Sequence, residues 1–237
     1  MHTLGPENKY EELLSSIKHQ AKLLHETTVG AGLPVLGTIN NLRASSHKIH
    51  KVEGILSGTL AFVLGAVSGG QMRFSDAVKK AKELGYTEPD PRLDLGGIDV
   101  ARKAVILARL SGMKGVELSK MDVESLVPQS LRECTIEEFM NGLSDFDTEF
   151  AEKVAKIEQA DKRLHYAASV DVLTGKVTVG PMAVEASHPF NSAGPDNLVA
   201  VKTDFYTRPL VVQGAGAGGD VTATGVLADI LDCARNA

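Results

Sequence analysis

A run of long strand patterns constrains the fold of this chain more than any other feature. Residues 164–186, LHYAASVDVLTGKVTVGPMAVEA, predict two strands joined by a tight turn at residues 173–176. HKIHKVEGIL alternates polar and apolar residues before them, and NLVAVKTDF and PLVVQ follow them as further strand patterns. Long antiparallel strands beside separate helices predict an α+β fold, with a mixed β-sheet and helices on one face.

Helical patterns occupy most of the remaining chain. Residues 6–24 predict an amphipathic helix, and residues 26–30 predict a short strand that enters a glycine-rich loop. Further helices are predicted over residues 35–44, from near Ser57, over residues 74–84 with Ser75 as N-cap, over residues 99–111, in TIEEFMNGL, in FDTEFAEKVAKIEQADKRL and in TATGVLADILDCARN. The helix at residues 99–111 is apolar on nearly every face, which is typical of a buried helix.

Composition narrows the function classes. The 237 residues are 43% hydrophobic and 23% charged, with a net charge of -5, so no basic face for nucleic acid is expected. No apolar run reaches the length of a membrane-spanning helix. The two cysteines lie far apart in the sequence, which favours a reduced, intracellular protein, and we expect a cytoplasmic location.

Residues 85–103, GYTEPDPRLDLGGIDVARK, concentrate carboxylates ahead of one lysine, Lys103. The acidic residues of this stretch are Glu88, Asp90, Asp94 and Asp99. Two prolines predict an extended, non-helical segment over residues 88–92, followed by a loop to the paired glycines, with a helix starting near Asp99.

Lys103 and Asp99 are four residues apart on one face of that helix. A purely structural interpretation is a surface ion pair that contributes a few tenths of a kcal/mol. The chemical interpretation rests on the apolar helix: burial and the helix N-terminus disfavour the ammonium form, and the carboxylates oppose both effects. A lysine under such opposing effects suits proton exchange, and the other carboxylates could hold a substrate ammonium group.

Two glycine runs allow further alternatives. Gly214, Gly216 and Gly219 fit G-x-G-x-x-G between a strand and a helix, but too few residues follow for the second strand of a dinucleotide-binding unit. This run is therefore either a tight turn or a backbone loop packed against a cofactor bound mainly elsewhere. The run GAGLP at residues 30–34, with Glu26, is either a plain turn or a source of oxygen ligands for a cation.

The acidic stretch closely resembles the signature of the homoserine dehydrogenase family, plant and fungal type. ETTVGAGLPV, EGILSGTL, VESLVP, HPFNSAGPDN, PLVVQGAGAGG and VTATGVLADIL resemble other family segments in the same order. The resemblance implies NAD(P)-dependent interconversion of L-homoserine and L-aspartate 4-semialdehyde in threonine, methionine and isoleucine biosynthesis. It also implies NADP or NAD as cofactor, a sodium-type cation and a homodimer.

The resemblance implies a role for each matching residue. Lys103 matches the catalytic lysine that protonates the aldehyde oxygen during reduction. The substrate-positioning carboxylates match Glu88, Asp94 and Asp99. The cation site beside the cofactor matches the carboxylate or carbonyl oxygens of Glu26, Val29, Ala31 and Leu33. The loop that contacts the cofactor matches Gly214 and Gly216.

The resemblance also implies a division of the chain. Residues 1–34 match the C-terminal remnant of a Rossmann-type nucleotide-binding domain, residues 35–214 match the catalytic and dimerisation domain, and residues 215–237 match a helix that returns to the first domain. Most of the nucleotide-binding domain has no counterpart here, so we expect this chain by itself not to bind NAD(P)H. One hypothesis is an enzyme, with a plastid location if the source is a plant or alga. The alternative is a truncated homologue that acts only as a dimerisation module.

Overall fold

The fold is a mixed sheet with one main helical layer, and a computed structural model describes it over residues 23–235 together with Lys9, Glu12 and Ser15. Those three residues are helical, whereas Leu23 and Leu24 are not. The rest of the helix predicted over residues 6–24 lies outside the described residues.

Six strands form one sheet in the described part of the chain, in the order β2-β4-β3-β1-β5-β6. Their bounds are Ile49–Ile55 (β1), Asp122–Val123 (β2), Lys162–Asp171 (β3), Lys176–Glu185 (β4), Asn197–Thr203 (β5) and Leu210–Gly214 (β6). The short β2 pairs in parallel with β4, and the other neighbours are antiparallel. This arrangement confirms the predicted α+β fold with a mixed sheet.

The predicted hairpin forms β3 and β4, the third and second strands in that order. β3 and β4 pair along their whole length, from Lys162 opposite Glu185 to Asp171 opposite Lys176. At the turn, the Asp171 carboxylate accepts a hydrogen bond of 2.9 Å from the Thr174 N–H. This local contact fixes the register, which in turn decides which side chains of each strand face the core.

Eight α-helices lie within residues 23–235. They are Val35–Ala44 (α1), Gly58–Val67 (α2), Phe74–Glu83 (α3), Arg92–Leu95 (α4), Ile98–Leu110 (α5), Ile136–Gly142 (α6), Asp147–Gln159 (α7) and Gly219–Arg235 (α8). Helices α2, α5 and α7 contact β3. Every residue of α5 from Ala104 to Leu110 is buried, which explains its apolar sequence. None of the described helices is long and apolar enough to cross a membrane.

The opposite face of the sheet has a smaller apolar cluster. A short turn at Pro189–Ser192 brings the buried ring of Phe190 against Ala167 and Leu198. This second face of the sheet is therefore partly covered by a turn and not by a helical layer. The helices of the main core pack on the other face, in agreement with the prediction.

Three predictions of element type or start need correction. Residues predicted to enter the glycine loop as a strand form a 3-10 turn, Glu26–Thr28, in which Thr28 Oγ1 donates to the His25 carbonyl. The segment predicted as a loop after Pro91 contains α4, because Pro91 itself adopts helical angles and its carbonyl accepts from the Leu95 N–H. The C-terminal helix begins at Gly219, earlier than predicted.

Ser75 is not the N-cap of α3. The cap position is Arg73, whose side chain forms no capping hydrogen bond, and Ser75 lies within the first turn. Its N–H and hydroxyl donate to the two carboxylate oxygens of Asp147, at 2.8 and 2.7 Å. The start of α3 is thus satisfied by a buried acid at the start of α7, a partner that local sequence does not reveal.

Candidate functional site

Lys103 lies in the second turn of α5 and is held by two acceptors. Its Nζ is 2.9 Å from Asp99 Oδ2, one helical turn earlier, and donates to the Leu56 carbonyl at 2.8 Å. Leu56 follows β1 directly and precedes the N-cap of α2, Ser57. The side chain of Lys103 is 20% exposed, so it is largely buried, as the apolar helix predicted.

The start of α5 depends on Gly97 and on a tyrosine from β3. Gly97, the N-cap of α5, has a φ of +74°, in the left-handed region that favours glycine. A Cβ at Gly97 would overlap the hydroxyl of Tyr166, which donates to the Glu124 carbonyl at 2.8 Å. Burial raises the pKa of the Tyr166 hydroxyl, so it remains a donor. This packing places Asp99 and Lys103 relative to the sheet.

Asp94, in α4, is fixed by hydrogen bonds from two directions. Its Oδ2 accepts from the Glu88 N–H at 2.9 Å, and its Oδ1 lies 3.3 Å from the hydroxyl of Thr59. The Thr59 hydroxyl also donates to the Tyr86 carbonyl at 2.6 Å. Burial raises the pKa of Asp94, and the nearby Glu88 adds to the increase while the hydrogen bonds oppose it.

A cavity of about 530 Å³ lies between these elements. Its walls include the three predicted substrate carboxylates, Glu88, Asp94 and Asp99, and also Ser57, Arg92, Leu93, Gly96, Ile98, Val100 and Arg102. Lys103 does not line the cavity, but its ion pair with Asp99 places Nζ beside the wall. The acidic loop, the start of α2 and the start of α5 therefore converge on one space.

Arg92 ties the acidic loop to a neighbouring segment. Its guanidinium donates to both carboxylate oxygens of Asp90, with the shortest contact at 2.7 Å, and to the carbonyls of Arg132 and Cys134. It also lies 5.5 Å from the ring centroid of Phe139. The Arg92 guanidinium lowers the pKa of Asp90. Asp90 is thus committed to the loop's own structure rather than to the cavity.

Glu26 is placed at the N-terminus of α1. Its two carboxylate oxygens accept from the N–H groups of Leu36 and Gly37, at 2.6 and 2.7 Å. Burial raises the pKa of Glu26, the hydrogen bonds oppose the shift, and Asp229 of α8 raises it further. The Glu26 N–H is itself 3.3 Å from Asp229 Oδ2, so two carboxylates lie close together here.

The backbone of the GAGLP loop is partly available for ligation. The carbonyl of Leu33 accepts from the Val35 N–H at 2.8 Å. The carbonyls of Val29 and Ala31 accept no hydrogen bond from any described residue. Ala31 has a positive φ of 54°, which turns its peptide group out of the regular direction. No cluster of three or more His, Cys, Asp or Glu side chains suited to a metal occurs within residues 23–235.

Both glycine runs pack against other parts of the chain. A Cβ at Gly32 would overlap the Val221 carbonyl of α8, and one at Gly214 would press on Leu33. A Cβ at Gly216 would overlap the side chain of Asn197, which is 2% exposed. The Asn197 Nδ2 is buried and has no hydrogen-bond partner among the described residues. Close packing therefore accounts for these glycines, and the Asn197 amide is left without an acceptor.

Comparison with known proteins identifies the family. The homoserine dehydrogenase family model matches residues 34–231. The homoserine dehydrogenase of Saccharomyces cerevisiae is 42% identical over 231 residues, which cover 95% of this chain and 64% of the yeast protein. This chain belongs to the homoserine dehydrogenase family. It spans less than two thirds of the length of that yeast relative.

Solved structures agree with this membership in the homoserine dehydrogenase family. A protein of unknown function from Candida auris has a TM-score of 0.95 at 41% identity, covering 99% of this chain and 67% of that one. A mutant hyperthermophilic archaeal homoserine dehydrogenase in complex with NADPH has a TM-score of 0.70 at 28% identity, covering 98% and 61%. The α+β fold predicted from the resemblance is therefore confirmed.

The structure brings together some residues predicted from the family resemblance and separates others. Asp99 contacts Lys103, whereas the carboxylate of Glu88 forms no ion pair with a described lysine. Glu26 and the GAGLP loop contact α8, and neither of them lines the acidic cavity. Sequence reasoning missed Thr59 and Tyr166. Thr59 lies in the family segment EGILSGTL, which was a usable signal, but nothing in the sequence links Tyr166 to Gly97.

Proposed function

We propose that this chain is the catalytic part of a homoserine dehydrogenase, which interconverts L-homoserine and L-aspartate 4-semialdehyde with NADP or NAD. The observation that carries this proposal is Lys103, held by Asp99 and Leu56 beside a cavity lined by Glu88 and Asp94. A cavity of about 530 Å³ is ample for a four-carbon amino acid. The alternative of a non-catalytic dimerisation module is not favoured, because the family match spans residues 34–231 and includes the whole acidic stretch with Lys103.

Lys103 suits the proton step because a lysine ammonium group offers three N–H donors. Asp99 and the Leu56 carbonyl take two of them, which leaves one N–H bond for a substrate oxygen. During reduction of the aldehyde, charge builds on its oxygen as the C=O bond opens, and Lys103 donates the proton that completes the alcohol. During oxidation, the same side chain takes the hydroxyl proton of the substrate.

The acids hold the other end of the substrate. The ammonium group of L-homoserine needs anionic acceptors, and Glu88, Asp94 and Asp99 all line the cavity. Asp94 is kept in place by Thr59 and the Glu88 N–H, so its position does not depend on the ligand. Fixed acceptors of this kind orient the aldehyde carbon toward Lys103 without further ordering of the protein.

The nicotinamide cofactor, when bound, supplies or accepts the hydride at the substrate carbon. The residues that fit its polar groups are at the loop after β6, where the unpartnered amide of Asn197 lies against Gly216. An amide donor without an acceptor suits a carbonyl or phosphate oxygen nearby. We assign Gly214, the last residue of β6, and Gly216, in the loop after it, to the cofactor-facing segment because they let its backbone pack closely on Leu33 and Asn197.

The cation site is supported by charge and by free carbonyls. Glu26 and Asp229 are neighbouring carboxylates, and the oxygens of Val29 and Ala31 accept no hydrogen bond from described residues. Oxygen ligands and excess negative charge suit a hard cation such as sodium. The Leu33 oxygen already accepts one hydrogen bond, but a carbonyl has a second lone pair for a cation.

The assembly that we propose is a homodimer through the sheet, in the cytoplasm or a plastid and without nucleic acid. A groove of about 320 Å³ on the sheet is lined by Ala167, Gly180, Pro181 and Met182, together with the polar residues Asp122, Glu124 and Thr178. A sheet face with this composition is suited to close packing against a second copy.

Turnover of L-homoserine tests the proposed function. The chain, joined to the nucleotide-binding domain of the yeast relative, should form NADPH from NADP and L-homoserine, and should consume NADPH with L-aspartate 4-semialdehyde. D-homoserine serves as the matched control, because the fixed acids and Lys103 accommodate one hand of the amino acid. Reduced nicotinamide absorbs at about 340 nm, so the absorbance there follows the reaction. A folded protein that shows no absorbance change dependent on L-homoserine would contradict the proposal.

A further inference from the structure

The cavity beside Lys103 contains ionised side chains that are committed to protein contacts and others that are not. Asp94 accepts from Thr59 and the Glu88 N–H, Asp99 pairs with Lys103, and Arg92 is bound to Asp90 and to carbonyl groups. The carboxylate of Glu88 and the guanidinium of Arg102 form no hydrogen bond or ion pair with any described residue. Both are exposed, and both line the same cavity.

Arg102 occupies a defined place in that cavity. It lies in α5 directly before Lys103 and three residues after Asp99, so Asp99 and Arg102 share a helix face that borders the cavity. Its neighbour Ile98 on this face is 43% exposed. The cavity therefore has one uncommitted anion from the acidic loop and one uncommitted cation from α5.

We propose that Arg102 binds the α-carboxylate of the amino-acid substrate and so helps to set specificity for a zwitterion, an inference that rests on the proposed function. A guanidinium presents paired N–H donors that match a carboxylate in two hydrogen bonds. Of the carboxylates that surround the substrate ammonium group, Glu88 is the one without a partner among the described residues, so its charge is the one that the ammonium group balances. The two uncommitted charges are complementary to the two charges of the substrate, whereas committed side chains supply position.

The assignment explains why the cavity holds a second cation that the proton step does not require. Lys103 has two donors in use and one available for the reacting oxygen, so it cannot also hold the carboxylate. Arg92 is occupied by four protein contacts. The donors of Arg102 form no hydrogen bond or ion pair with any described residue, so this cation of the cavity wall can bind the carboxylate.

The test measures binding of three ligands to this chain by titration calorimetry. They are L-homoserine, L-homoserine amide, which lacks the negative charge, and 4-hydroxybutanoate, which lacks the ammonium group. The chain should prefer L-homoserine over the amide by about tenfold to a hundredfold, the usual contribution of a hydrogen-bonded charge. Arg102→Met should reduce that preference to about onefold, while its preference for L-homoserine over 4-hydroxybutanoate stays unchanged.

Two variants serve as controls. Glu88→Gln should lose the preference over 4-hydroxybutanoate but keep the preference over the amide. Lys176→Met removes one exposed cation at the β3–β4 turn and should leave both preferences unchanged. Arg102→Met chains that still prefer L-homoserine over its amide overturn the inference alone. In the protein joined to a nucleotide-binding domain, Arg102→Met could also weaken NADPH binding without changing the preference for L-homoserine over its amide. That result would overturn the inference as well. Failure of the unmodified chain to bind L-homoserine overturns both the inference and the proposed function.

Discussion

At the residue scale, the candidate chemistry rests on one lysine whose neighbours divide its donors. Asp99 and the Leu56 carbonyl fix Nζ in direction, and the apolar surroundings of α5 fix the stem. A lysine held in this way loses little conformational freedom when it meets a substrate oxygen. A surface ion pair alone would not require a backbone carbonyl from another element.

Replacement of Lys103 tests its role in proton transfer. In the protein joined to a nucleotide-binding domain, Lys103→Ala should lower kcat by roughly 10²–10⁴-fold, the contribution of a general acid or base. Lys153→Ala, which removes an exposed ion pair with Glu124, is the matched control and should leave kcat unchanged. Steady-state rates with L-homoserine measure both variants, and turnover of Lys103→Ala at the unmodified level would show that the assignment is wrong.

At the element scale, the position of α5 depends on contacts from other elements. Gly97 starts the helix in a left-handed conformation directly against Tyr166 of β3, and Tyr166 is fixed by the Glu124 carbonyl next to β2. The Asp147–Ser75 hydrogen bonds join α7 and α3 in the same manner. Helix ends in this fold are thus secured by partners distant in sequence.

Two glycine substitutions separate backbone strain from steric overlap. Gly85 and Gly97 have nearly equal φ values, +72° and +74°, but a Cβ at Gly85 would meet no atom within 4 Å. Gly85→Ala should lower the free energy of unfolding by about 1–2 kcal/mol through left-handed strain. Gly97→Ala should cost a further 1–3 kcal/mol or so because Tyr166 must move. Urea unfolding measures both, and equal losses would contradict the proposed packing.

Sodium should stabilise the loop around Glu26 through charge. Because the pKa of Glu26 is raised in the folded chain, the associated stability is present below its ordinary pKa and is lost as pH rises through the folded value. A bound cation offsets that loss. Sodium chloride should therefore raise Tm more than choline chloride does near pH 8, and not near about pH 4, where Glu26 takes up a proton.

Glu26→Gln is the matched variant for the sodium prediction. The amide keeps the size of the side chain but removes its charge, so the difference between the two salts should disappear. Thermal unfolding at equal ionic strength measures this effect. A sodium-specific increase in Tm that survives in Glu26→Gln would place the cation elsewhere.

At the scale of the whole molecule, α8 presents an apolar face to solvent. Val226, Leu227, Ile230 and Leu231 are 45%, 53%, 59% and 45% exposed, as expected from the helix pattern. The corresponding prediction for Leu13, Leu14 and Ile17 lies outside the described residues. The inner face of α8 packs through Gly225 on Gly32 and Thr27, which joins the GAGLP loop to the end of the chain. The domain boundaries after residues 34 and 214 stay a prediction.

We predict that this chain alone does not bind NADPH and forms a dimer through the sheet. In the described residues, the glycine loop after β6 leads into α8, and no strand of the sheet pairs in parallel with β6, so these residues form no pyrophosphate-binding βαβ unit. Titration of the chain with NADPH, followed by nicotinamide fluorescence, should show no saturation at micromolar NADPH concentrations. Light scattering should give the mass of two chains. Saturable NADPH binding together with homoserine oxidation would contradict the first prediction. A stable monomer would contradict the prediction of a dimer.

Local sequence alone determined the secondary structure wherever one periodicity repeated over a whole element. The β3–β4 hairpin, the buried α5 and the start of α2 near Ser57 follow from strand patterns and apolar content. The acidic loop was also recognisable, because its residue types and spacing are contiguous. The family resemblance added roles that no periodicity could supply.

Only the tertiary structure decided which side chains meet. Ser75 binds Asp147, and Thr59 contacts Asp94, across separations of 72 and 35 residues. Tyr166 against Gly97, and Asn197 against Gly216, likewise depend on how strands and loops pack. Hydrogen-bond demand and steric fit act through space, so residues that satisfy them are selected by the fold rather than by their neighbours in the chain.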